Sequence, residues 1–186
     1  LWKNALVAPE EDLRREAATG LMRLRQQDAP DIEQMNTAML EGFRSTTDQI
    51  VRLSIATALI ELDVREAAED LYRFAGSGNI VVANRIEPAL ARWKFEPIQT
   101  DWLQRIQEPT GVAVTHLVLA AQGLAASGNK AAAPALLSLA TNESSATQVR
   151  IAAATALGTL ADSGLTETCR QLAADASQGG LVNRLV

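Results

Sequence analysis

One cysteine, one histidine and an aromatic content of 4% in 186 residues limit what this chain can do. A lone cysteine, Cys169, excludes an internal disulfide framework and leaves the redox compartment open. With His116 as the only histidine, a histidine metal cluster is excluded. A Cys–His nucleophile would have to join His116 to Cys169 in a different unit of the chain, and Cys169 reads instead as a small buried hydrophobe. The longest apolar stretch, 111–126, is interrupted by Thr115, His116 and Gln122 and falls short of the roughly 20 residues that cross a bilayer. No membrane insertion is expected. Positive charge is also scarce: a net charge of −5 and a pI near 5.0 argue against capture of nucleic acid or anionic lipid. The chain opens Leu1-Trp2-Lys3, with neither an initiator Met nor a signal-peptide pattern, and is expected to be a piece of a longer polypeptide.

What the chain does have is internal repetition. Val51-Arg52-Leu53-Ser54-Ile55-Ala56-Thr57-Ala58-Leu59 returns 98 residues later as Val149-Arg150-Ile151-Ala152-Ala153-Ala154-Thr155-Ala156-Leu157. That separation is about three periods of roughly 33 residues, the range of stacked helical repeats. A core column can be drawn through Leu24, Leu62, Trp93, Leu124 and Leu160, with Leu21, Leu59, Leu90, Ala121 and Leu157 three residues earlier on the same helical face. Five units follow, at 10–44, 45–77, 78–108, 109–143 and 144–176, with a tail at 177–186. Within each, a polar break leads to a second helical run, as at 67–74, 98–106, 134–139 and 166–172. The breaks are Asp28-Ala29-Pro30, Asp63, Glu96-Pro97, Ser127-Gly128-Asn129 and Asp162-Ser163-Gly164. Thr46-x-x-Gln49, Asn84-x-x-Glu87 and Ser145-x-x-Gln148 read as capping boxes, the second placing Pro88 near the fourth helical position, where its missing N–H costs little. The reading is a single all-α domain of about five helical hairpins.

These Val-Arg helices, Ala-x-Ala-Leu cores and short hairpins resemble the HEAT repeat family over roughly residues 10–176. The resemblance implies a right-handed α-α superhelix of armadillo type, made chiefly of scaffolds and adaptors with few catalytic members. The first unit departs from it in lacking Val-Arg, the fourth in carrying Thr115-His116 near that place, and the third in its Trp and Pro. That third unit, from Asn84 to Trp93 and on through Trp102-Leu103, is also similar to HEAT segments of large exported bacterial proteins that carry a c-type haem domain. The likeness implies an exported or periplasmic setting. No Cys-x-x-Cys-His pattern is present, so a haem would belong to another domain.

The residues that invite a chemical reading have simpler ones. Trp93 and Trp102 align with Leu62 and Leu71 and are expected to fill core rather than clamp a ligand, while Trp2 is expected to pack as a remnant of an adjacent unit. The acidic groups Glu10-Glu11-Asp12, Glu66 with Glu69-Asp70, and Asp28 with Asp31 sit at helix starts and turns, where the macrodipole favours them. No run of alternating oxygen ligands with a Gly turn suggests calcium. Arg52 and Arg150 are expected, from the family, to pair with acidic residues of neighbouring units as a ladder. Arg85, Arg92 and Lys94, beside Trp93 and Phe95, form the one modest basic concentration and are the candidate partner-binding residues. No catalytic, cofactor-binding or metal-binding residue is assigned.

The expected function is therefore non-catalytic: a protein–protein interaction scaffold, or an architectural module holding neighbouring domains of its own chain, with the partner on the face lined by the Val-Arg helices. The alternative is a HEAT-like enzyme or enzyme-associated module. A DNA-glycosylase-like member should show a basic concave channel, which the charge balance does not supply, and no residue marks a bilin-lyase-like one. Apolar pairs at both chain ends, Leu1-Trp2, Leu181-Val182 and Leu185-Val186, predict apolar surface there.

Overall fold

The computed structural model describes residues 1–27 and 32–160. Several expectations lie outside them: the breaks at Asp28-Ala29-Pro30 and Asp162-Ser163-Gly164, the run at 166–172, Asp31, Cys169 and the apolar C-terminal pairs. The described residues form ten α-helices and three short 3-10 turns, with no strand among them. The fold is all-α. Two compact units divide the chain, Leu1–Ala89 and a second beginning at Leu90.

The first unit contains α1 (Trp2–Leu6), α2 (Glu11–Gln26), α3 (Asn36–Ser45), α4 (Gln49–Glu61), α5 (Ala68–Ala75) and the greater part of α6 (Ile80–Arg92). The second holds α7 (Glu96–Gln107), α8 (Val114–Ser127), α9 (Ala133–Thr141) and α10 (Thr147–Leu160). Helices alternate between two roles. In the first unit α1 packs on α2 and α3 on α4; in the second, α7 packs on α8 and α9 on α10. The even-numbered helices also touch each other, α2 with α4 and α8 with α10, as do the odd-numbered α1 with α3 and α7 with α9. Each helix of these pairs buries an apolar stripe against both kinds of neighbour.

Three helix ends share one turn, and it fixes the register of the repeat. The Asp63 and Val64 amides donate to the Ile60 and Leu59 carbonyls, those of Lys94 and Phe95 to Ala91 and Leu90, and those of Gly128 and Asn129 to Ala125 and Leu124. Asp63, Lys94 and Gly128 adopt φ of 53°, 54° and 74°, the left-handed residue of a Schellman motif. These turns are 31 and 34 residues apart. Leu124 is thus the counterpart of Leu59 and Leu90, all three fully buried, and not of Leu62 and Trp93 as the sequence column has it. Leu62 and Trp93 lie beyond the last helical turn and are only half-buried. Valine and leucine eight residues apart anchor the same register: Val51 and Leu59, Val82 and Leu90, Val149 and Leu157, with His116 and Leu124 in α8. Between them, Ile55, Ile86, Ala120 and Ala153 share one position at 0% exposure.

Another position of this register sets the helix spacing. Ala58, Ala89, Gly123 and Ala156 occupy it, and Gly20 holds the matching place before Leu21 in α2. At Gly123 a Cβ would fall 2.7 Å from the Trp102 ring, and at Gly20 one would fall 2.6 Å from the Trp2 ring. A tryptophan on an odd helix therefore requires glycine on the even helix it covers. Trp102, like Leu71 and Leu136 at its counterpart positions, is 0% exposed, as expected for core; Trp2 remains 37% exposed.

Helix starts correct the capping expectations. The α4 cap is Asp48, whose carboxylate accepts from the Ile50 and Val51 amides at 2.8 and 3.0 Å; Thr46 is buried and donates its hydroxyl to Glu11. Asn79 caps α6 by accepting from the Val81 amide at 2.9 Å, so Asn84 lies inside the helix. Pro88 is in the helix interior, where it withholds the N–H that would bond the Asn84 carbonyl, rather than in the first turn. The α10 helix starts at Thr147, with the Ala146 carbonyl taking the first amides, one residue beyond the Ser145 start.

Candidate functional site

In each unit the candidate surface is the solvent side of its even-numbered helices. In the first unit, its α4–α6 portion is closed by a side chain of its own. Arg85 forms an ion pair with Glu61 and donates from Nε to the Thr57 hydroxyl at 3.3 Å. The Thr57 hydroxyl in turn donates to the Leu53 carbonyl at 2.9 Å. Arg85, one of the three candidate partner-binding cations, is therefore engaged with α4. Ile50 and Val81, at equivalent first-turn positions, are 69% and 60% exposed.

In the second unit, Arg92 and Lys94 are exposed at the end of α6 and in its closing turn. Neither forms an ion pair among the described residues. Here α8 and α10 leave an open groove of about 590 Å³ between them. Val118, Ile151, Ala126 and Ala152 supply its apolar lining, Gln122 and Gln148 its amides, and no charged residue lines it. Thr155 and Thr159 also line it, but their hydroxyls donate to the Ile151 and Thr155 carbonyls at 2.9 and 3.1 Å. These threonines turn their hydrogen bonds into their own helix. Residue-by-residue reading of motifs missed this groove, because alanines, glutamines and threonines carry no chemical signature; the signal was available in the repeat register, as the exposed positions between the buried ones.

At Arg52 the expected ladder takes a different form. The Arg52 guanidinium lies 4.8 Å from the Phe43 ring centroid and 5.0 Å from that of Phe74, two rings in edge-to-face contact at 5.7 Å. Its Nε is buried without a hydrogen-bond partner. Cation–π attraction takes the place of a carboxylate. Arg150 donates from Nε to the Ala140 carbonyl near the end of α9 at 3.0 Å. Both arginines brace an even helix against odd ones.

Three carboxylates of the described acidic groups are likewise engaged in structure. Asp12 pairs with Arg15 at 2.8 Å, Glu69 with Arg73 at 2.8 Å, and Asp70 with Arg44 at 2.7 Å. The hydrogen bond from Arg44 to Asp70, reinforced by the opposite charge, holds the Arg44 guanidinium above its ordinary pKa. His116 is half-buried in the first turn of α8. Among the described residues no three of His, Cys, Asp and Glu gather where they could hold a metal ion. None of the helices described is long and apolar enough to cross a membrane.

No protein-family model matches the chain, and no curated protein matches it at a significant level.

Proposed function

We propose that this chain is a HEAT-like helical-repeat module, its hairpins wound as a right-handed superhelix, that binds another protein or a neighbouring domain of its own polypeptide without catalysing a reaction. The observation that supports it best is the shared register. Asp63, Lys94 and Gly128 close successive even helices by the same turn, so corresponding side chains recur at the same register positions from helix to helix, the periodicity from which repeat proteins build extended binding faces. Arg92 stands at the register position of Ala126 and Thr159, both of which line the α8–α10 groove.

The partner-binding cations in this reading are Arg92 and Lys94, with Arg85 in a supporting structural role through Glu61. Exposed cations beside aromatic residues match the composition enriched at binding hot spots. Pull-down of partners with the double variant Arg92→Glu and Lys94→Glu tests the assignment. Capture should weaken by more than about 1 kcal/mol while the melting temperature stays nearly constant. Lost stability without selective loss of capture would remove these two residues from the interface.

A further inference from the structure

The groove between α8 and α10 corresponds in register to the place that Arg85 fills between α4 and α6. Counting from the anchoring positions Val51, Val82, His116 and Val149, the three bonded residues Thr57, Glu61 and Arg85 have Gln122, Ala126 and Ala152 as their counterparts. All three counterparts line the groove. The first unit fills this space with a long side chain from its own helix and neutralises it with a carboxylate. In the second, alanine replaces both the arginine and the glutamate, leaving the space open and uncharged.

We propose that the α8–α10 groove receives one apolar side chain, of leucine, methionine or phenylalanine size, from an amphipathic helix of a partner protein; this deepens the interaction reading above and rests on it. An arginine anchor is disfavoured because Ala126 offers no carboxylate where Glu61 stands, and burying an unpaired cation is costly. An apolar anchor meets Val118, Ile151, Ala126 and Ala152 with no charge to desolvate. The small residues let a helix approach closely, and the amides of Gln122 and Gln148 are placed on the lining to meet the polar flanks of that helix.

The probe is a synthetic amphipathic helix of about five turns with leucines on one face, titrated into the whole chain while alanine and isoleucine methyl signals are followed by NMR. Saturable shifts at Ala126, Ile151 and Ala152, absent when the leucines are replaced by glutamate, are expected. The variant Ala126→Glu with Ala152→Arg rebuilds the α4–α6 ion pair inside the groove and should weaken peptide binding roughly tenfold or more. Ala126→Leu, a smaller plug, provides the same test should the charged pair fail to fold, with melting temperature as the folding check. Undiminished peptide binding by a folded plugged variant overturns the proposal, as does the absence of methyl shifts at millimolar peptide. Shifts confined to the surroundings of Arg92 and Lys94 overturn it as well, while leaving the interaction face itself standing.

Discussion

Trp102 and Gly123 form a matched pair, so each is only as good as the other. Replacing Gly123 by Ala places a methyl 2.7 Å from the indole, and the strain of displacing a fully buried ring should cost about 1–3 kcal/mol. Trp102→Leu alone leaves part of the indole volume empty and should cost a similar amount. Together the two changes create the Leu–Ala combination found at the corresponding positions Leu136 and Ala156. The double variant is therefore expected to lose less than the sum of the singles, measured by urea denaturation as a double-mutant cycle; strict additivity would show that ring and glycine are independent. Arg52 and Arg85, both in the first unit, should separate by salt. Arg52→Met removes a guanidinium held between Phe43 and Phe74 and should cost about 1–2 kcal/mol at low and high salt alike. Any contribution of the half-exposed Arg85–Glu61 pair should shrink towards nothing in molar salt. Equal salt sensitivity in the denaturation curves of the two variants would contradict the assignment of Arg52 to ring contacts.

At the scale of elements, helix starts are decided by which side chain reaches the first free amides. Asp48→Ala should cost about 1 kcal/mol by releasing the Ile50 and Val51 amides, and hydrogen exchange should show the loss as faster opening of the first turn of α4. Protection at that turn unchanged in the variant would mean that the cap adds nothing. The existence and order of the helices were legible in the sequence: apolar spacing and break residues locate α4 through α10 to within a few positions. The caps were less so. Thr46 and Asp48 are two residues apart and both suit a cap, and the choice depends on Glu11, 35 residues before Thr46, which takes the Thr46 hydroxyl. Asn79 and Asn84 present the same ambiguity: Pro88 favours Asn84, which would put the proline near a helix start, whereas the structure has Asn79 as the cap. The core column slipped by three at Leu124 because both Leu124 and Ala121 fit an apolar face; only the left-handed residue at Gly128, matching Asp63 and Lys94, fixes the register. An aspartate and a lysine in that conformation carry no sequence signal comparable to glycine. Of the candidate site, Arg92 and Lys94 were legible as a basic concentration. The groove was not, since it consists of what Ala126 and Ala152 fail to fill.

For the molecule as a whole, the even-helix faces of the two units differ in chemistry. In the α4–α6 stretch the face is charged and self-bonded, through Arg85, Thr57 and Glu61. In the second unit α8 has no charged residue and α10 has only Arg150, which is turned to the Ala140 carbonyl. In a chain of net charge −5, this leaves a neutral groove, with the exposed cations Arg92 and Lys94 in the same unit. Such a face suits a partner segment that is apolar where it enters the groove and acidic elsewhere. Site-specific photo-crosslinking shows most directly whether partners meet the even-helix face. With a photoreactive residue at Gln122 or Thr155, in the groove, and at Gln104, exposed on α7, the account predicts a discrete partner adduct from the two groove positions. It further predicts that the adduct is lost with Arg92→Glu and Lys94→Glu and does not form from Gln104. Adducts that form from Gln104 and not from the groove positions would contradict it.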